Sequence, residues 1–229
     1  LLVSLWELVS RLNPPDETIL SFVDAAHRLR TGELVALTWK HWQSSNSASV
    51  SGSARMYRHF ARAGASGQQA AIVREIWTHF KNTTLLDGYT CETVAAAAAK
   101  LNDPDLFREI WKSTQATVDR VTNRALSGMA KPAGFLCERE ILGTIWQHFS
   151  GRCGPFHPAD LKCFAEAAGA TRDSALLTSV WAIAQTSLEA RDVLSYAEAA
   201  AAVESAELLR DVWSRATTLV HVISFGEKE

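Results

Sequence analysis

Seven tryptophans, Trp6, Trp39, Trp77, Trp111, Trp146, Trp181 and Trp213, recur at intervals of 33, 38, 34, 35, 35 and 32 residues in a chain of 229. A period fixed near 35 residues is the signature of a stacked repeat, in which one supersecondary unit buries its apolar face only against its neighbours. The period is not carried by tryptophan alone. Five residues before each internal Trp stand Leu34, Ile72, Leu106, Ile141, Leu176 and Leu208, and four before it Val35, Val73, Phe107, Leu142, Leu177 and Leu209. One residue before it stand Thr38, Ile76, Ile110, Ile145, Val180 and Val212. Positions i, i+1, i+4 and i+5 form one stripe on a 3.6-residue helix, so each Trp phrase predicts an amphipathic helix, here helix B.

A second apolar column lies 17 residues before each Trp: Phe22, Phe60, Val94, Met129, Phe164 and Tyr196. Small residues follow at two consecutive columns, Ala25-Ala26, Ala63-Gly64, Ala97-Ala98, Pro132-Ala133, Ala167-Ala168 and Ala199-Ala200. This predicts a helix A that packs closely on helix B of its own repeat through a short turn. The alanines at 95–99 combine high helix propensity with no side-chain entropy to lose. Pro132 should break the column, which places helix A of that repeat earlier or makes it irregular, over about 119–130.

Turn chemistry divides the chain in the same places. Asp103-Pro104-Asp105 puts a capping Asp before a first-turn Pro and opens a helix B, while Pro14-Pro15-Asp16 and His157-Pro158 open helices A. Residues 82–88 and 150–155 read as connections between repeats, and the Ser-rich stretch 43–54, inside the longest interval, as an inserted surface loop. The expected fold is all-α, a right-handed α-solenoid of about six antiparallel helix pairs. It forms a single array over 1–229: a partial leading repeat at 1–12, repeats at 16–45, 53–82, 87–115, 117–150, 157–187 and 189–218, and a tail at 219–229. The leading Trp phrase lacks a helix A and the chain opens on Leu1, so a processed or partial product with repeats missing upstream is expected. No apolar run reaches the ~18 residues a membrane span needs, and no signal peptide is visible, which predicts a soluble chain.

Sites of chemistry were sought by motif. Cys91, Cys137, Cys153 and Cys163 are dispersed without a Cys-x-x-Cys pair, and Cys153, His157 and Cys163 match no zinc spacing. No phosphate loop, His-Glu-x-x-His or Gly-x-Ser-x-Gly is present. No catalytic residue, metal, cofactor or small-molecule substrate is therefore expected. His79 and His148 each follow their Trp by two residues, which repeat equivalence explains as structure. Trp39, Trp77, Trp111, Trp146, Trp181 and Trp213 are expected to form the repeat core by inter-helix packing.

The segment 57–77, with Phe60-Ala-Arg-Ala-Gly64 followed by Ala71-Ile-Val-Arg-Glu-Ile-Trp77, resembles a pentatricopeptide repeat. Ala199-Ala200 with Glu207-Leu-Leu-Arg-Asp-Val-Trp213 follows the same scheme, and the likeness covers nearly the whole chain. The Trp-x2-Leu-Gly-x2-Tyr pattern of the related tetratricopeptide helices is absent. The resemblance implies RNA work in mitochondria or chloroplasts, with bases read by side chains on helix A. In this chain the early helix A position expected to hold Asn, Ser or Thr falls near Glu17, Arg55, Tyr89, Arg124, Ala159 and Arg191, which argues against a base-by-base code.

Charge bears on the partner. The net charge is −2, but residues 52–81 carry Arg55, Arg58, Arg62, Arg74 and Lys81 against Glu75 alone, and residues 189–211 carry six acids against two arginines. Arg55, Arg58 and Arg62, at i, i+3 and i+7, form one basic helix face, and with Arg124 they are the candidate nucleic-acid contacts. The acidic end suits protein or water. Two functions follow. The first is a non-catalytic scaffold subunit of an organellar ribonucleoprotein, a mitochondrial ribosome or RNA-processing complex in the matrix, that bridges protein subunits and contacts RNA. The alternative is a tetratricopeptide-like, cytoplasmic protein–protein adaptor without RNA.

Overall fold

The structure is a computed structural model that describes residues 1–45, 54–81, 87–153 and 155–226, with side chains to 218. Among the described residues it is all-helical, without a strand. The chain divides into two compact units, Leu1–Arg120 and Val121–Glu229. The division falls just after the short 3-10 turn Val118–Arg120.

The first unit holds α1 (Leu2–Ser10), α2 (Asp16–Leu29), α3 (Gly32–Ser45), α4 (Ala54–Ser66), α5 (Ala70–Lys81), α6 (Gly88–Lys100) and α7 (Pro104–Gln115). The second holds α8 (Asn123–Phe135), α9 (Arg139–Ser150), α10 (Pro158–Thr171), α11 (Ser174–Ala184), α12 (Val193–Ala202) and α13 (Ala206–Gly226). Even-numbered helices are the expected helices A; α3 and the later odd-numbered ones are helices B. Within each unit a helix A packs on its own helix B and on the next helix A: α4 touches α5 and α6, and α10 touches α11 and α12. Asp103 and His157 open α7 and α10 as their sequence predicts, with Asp103 Oδ1 accepting from Leu106 N at 3.1 Å and His157 Nδ1 from Ala159 N at 3.2 Å. Of the expected loop 43–54, Gln43 to Ser45 are the end of α3 and Ala54 opens α4, while residues 46–53 lie outside the described residues. In the connections 82–88 and 150–155, residues 82–86 and 154 likewise lie outside them.

Each A-to-B turn is built alike. Arg30, Gln68, Asn102, Cys137, Arg172 and Glu204 all have positive φ, between 52° and 58°. Each stands nine residues before its Trp. The following amide donates back five residues, Thr31 to Ala26, Gln69 to Gly64, Asp103 to Ala98, Glu138 to Ala133, Asp173 to Ala168 and Ser205 to Ala200, at 2.7–3.0 Å. These are Schellman closures, which satisfy the orphan carbonyls at a helix end and reverse the chain in two or three residues.

The small columns serve a different contact from the one expected. Gly134 of α8 lies against Ala167 of α10, where an added Cβ would stand 2.7 Å from the Ala167 Cα, and Gly169 of α10 lies against Ala199 of α12, where it would stand 3.0 Å from the Ala199 Cα. The close approach is between successive helices A, not only within a repeat. Pro132 does not break its helix: α8 runs from Asn123 through it to Phe135. It sits in the last turn, where the lost N–H costs one intrahelical bond and only three residues follow.

The Trp column is core in five of six repeats. Trp39, Trp77, Trp111, Trp146 and Trp181 are buried, as is the leading Trp6, but Trp213 is 71% exposed. The cause lies in the partner. Four of the buried tryptophans pack on a ring of the next helix A: Trp6 on Phe22 at 5.0 Å between centroids, Trp39 on Phe60 at 5.0 Å, Trp146 on Phe164 at 5.0 Å and Trp181 on Tyr196 at 5.5 Å. Trp213 has no following helix A among the described residues.

Candidate interaction surface

The basic face expected on α4 exists and is organised by its neighbour. Arg55 is exposed near the start of the helix. Arg58 lies over the Tyr89 ring of α6, its guanidinium carbon 4.7 Å from the centroid, and pairs with Asp87 at 3.7 Å. Arg62 also meets that ring, at 5.7 Å, and donates from Nη2 to the phenol oxygen at 2.6 Å. Tyr89, 48% exposed, thus holds two guanidinium groups by cation–π attraction and a hydrogen bond. Two long side chains are fixed before any ligand arrives, and Asp87 offsets part of their charge.

Beside this clamp is a shallow hollow of about 170 Å3, floored by Ala65, Ala96 and Ala97 and edged by His27, Arg62, Glu92 and Lys100. The buried Ser66 hydroxyl links its walls, accepting from Lys100 Nζ at 2.7 Å and lying 2.7 Å from His27 Nδ1 and 3.0 Å from the Arg62 carbonyl. A hydroxyl has one proton, so it donates either to the Arg62 carbonyl, with His27 Nδ1 protonated, or to His27 itself. Three cationic or proton-donating groups face one carboxylate here, so the hollow and the clamp suit an anionic or carbonyl-rich ligand. His27 and Lys100 were not identified from the sequence because they come from helices A one repeat to either side of α4.

Arg124 is on α8, in the second unit, where it pairs with Asp160 at 3.4 Å. Asp160 is buried and also accepts from Ser127 Oγ at 2.6 Å, so Arg124 compensates a buried carboxylate. His79 stacks on Tyr57 at 4.6 Å, and Cys163 is buried in α10 with Sγ on the Ala159 carbonyl. Among the described residues no three His, Cys, Asp or Glu side chains converge as a metal site requires. No described helix is long and apolar enough to cross a membrane.

The second unit carries a surface of opposite character. Leu194 and Ala197 of α12 with Leu209, Val212 and Trp213 of α13 line an open apolar groove of about 740 Å3. Leu194 is 67% and Leu209 41% exposed beside Trp213. Together they form one exposed apolar surface.

No protein-family model, curated protein or solved structure matches this chain.

Proposed function

We propose that the chain is a non-catalytic helical-repeat scaffold subunit of an organellar ribonucleoprotein, mitochondrial by resemblance, that bridges protein neighbours and contacts RNA through α4. The supporting observation is the Tyr89 clamp, which holds Arg58 and Arg62 on an exposed helix face next to Arg55. Guanidinium groups fixed in this way meet phosphate with little further ordering, and a half-exposed ring beside them accepts a stacked base. The role is binding and positioning, with no bond made or broken. The test is affinity for a mixed-sequence single-stranded RNA across a salt series, for the chain and for Arg55→Gln/Arg62→Gln. The expected result is weaker binding and a shallower salt dependence in the variant. Identical curves would refute the RNA contact.

A second reading is a protein adaptor without RNA, favoured by the Asp87 and Asp160 partners that neutralise Arg58 and Arg124. Native assemblies purified with and without nuclease separate the two: partners retained unchanged after nuclease support the adaptor, and their loss with RNA supports the ribonucleoprotein.

A further inference from the structure

We infer that the groove between α12 and α13 receives an amphipathic helix of a partner polypeptide, one bearing an aromatic residue, a Lys or Arg two positions later, and small residues three and four positions later. The array itself displays what covers such a face. Trp6, Trp39, Trp146 and Trp181 each take the column ring of an incoming helix A, and Trp213, at the same place in the phrase, is exposed. The small residues follow from the backbone approach. Gly134 and Gly169, each twelve residues before its Trp, meet an alanine of the next helix A, and their equivalent Ala201 is exposed.

The chain's own continuation does not fill the groove within the described residues. Helices α5, α7 and α9 end four residues after their Trp and α11 three, and α10 and α12 open twelve residues after the preceding Trp. Helix α13 instead runs on to Gly226, thirteen residues past Trp213. That run takes up the position, twelve residues after Trp213, at which a following helix A would open, which supports an occupant from another chain. Its charge is set by α12. Lys131 of α8 pairs with Glu166 of α10 at 2.6 Å, both fifteen residues before their Trp, and the equivalent Glu198 of α12 is an exposed carboxylate one position after groove-lining Ala197. A basic residue two places after the ring completes that pair, as in Phe60-Ala-Arg62-Ala-Gly64 of this chain. Docking an amphipathic helix into an apolar groove is a general recognition mode. The inference concerns the protein-bridging part of the function above, and failure of the RNA test leaves it intact.

The test uses the 229-residue chain and a fluorescent peptide of sequence 54–66, stapled on its solvent face because so short a helix is marginal in water. Saturable anisotropy is expected, weakened at least about tenfold by Trp213→Ala, by Glu198→Lys and by replacing the peptide's Phe with Ala. Trp213 and Glu198 are exposed, so thermal melts by circular dichroism should show both chain variants folded. No saturable binding at millimolar peptide, or equal binding by Trp213→Ala, would overturn the inference. So would self-association of the chain that Trp213→Ala abolishes, which would give the groove to a second copy.

Discussion

Trp146 and Phe164 meet edge to face, ring centroids 5.0 Å apart, and the contact joins helix B of one repeat to helix A of the next. Phe149 packs on the same Phe164 at 4.7 Å, and all three rings are buried. Removing the indole leaves a cavity bounded by two helices that cannot both collapse into it. Trp146→Ala should cost ~3–5 kcal/mol in urea unfolding. Trp213→Ala, at the same repeat position but without a covering ring, should change stability by less than ~0.5 kcal/mol. Equal losses would show that the phrase is stabilised within its own helix and not by its neighbour.

The six positive-φ residues that close helices A are all non-glycine, and left-handed backbone costs a residue with a Cβ about 1–2 kcal/mol. Glycine relieves that strain and loses part of the gain to greater freedom in the unfolded chain. Glu204→Gly should therefore raise stability by ~1 kcal/mol, and Asn102→Gly by less, because Asn tolerates this region. Denaturant midpoints of the two variants measure the difference. A destabilised Glu204→Gly would mean that its side chain makes a contact worth more than the strain.

How much was legible follows from which features are side-chain chemistry. The apolar columns and the capping Asp103 have a period or a motif, so they place helices to within a few residues. The turn at Arg30, Gln68, Asn102, Cys137, Arg172 and Glu204 is a backbone conformation in five different residue types, so no composition signal marks it. Only its fixed distance from Trp does. Pro132 departs from its expected helix-breaking role because a proline near a helix end costs far less than one in the middle. Trp213 departs from its column because burial at that position depends on a helix outside its own repeat. The Tyr89 clamp is not legible in the sequence for the same reason: Arg58 and Arg62 read only as part of one basic helix face until α6 is placed beside α4.

Two glycines separate packing from propensity. An alanine at Gly134 would place its Cβ 2.7 Å from the Ala167 Cα, a backbone atom that moves only with α10. Overpacking costs ~1–3 kcal/mol, more than the ~1 kcal/mol gained in helix propensity, so Gly134→Ala should be destabilising. Gly143, inside α9, has nothing within 4 Å of an added Cβ. Gly143→Ala should stabilise by ~1 kcal/mol. Thermal melts of the pair should move in opposite directions, and a stabilised Gly134→Ala would show that α8 and α10 can separate without cost.

Tyr196 is buried against Trp181, and burial pushes its phenol well above the ordinary value of 10.0, with Asp192 adding to the rise. Tyr57 is raised in the same way, by burial first and then by Glu75. A phenol whose folded pKa is raised contributes stability that is fully present below its unfolded pKa, near 10, and is lost as pH climbs toward the folded value. In that window the unfolded chain sheds the proton while the folded chain keeps it. The melting temperature should therefore be insensitive to these groups at pH 7–9 and fall increasingly above about pH 10. Tyr196→Phe keeps the ring against Trp181 and removes the titration, so its melting curve should fall less steeply over the same range. An unchanged slope in Tyr196→Phe/Tyr57→Phe would assign the alkaline loss to other groups.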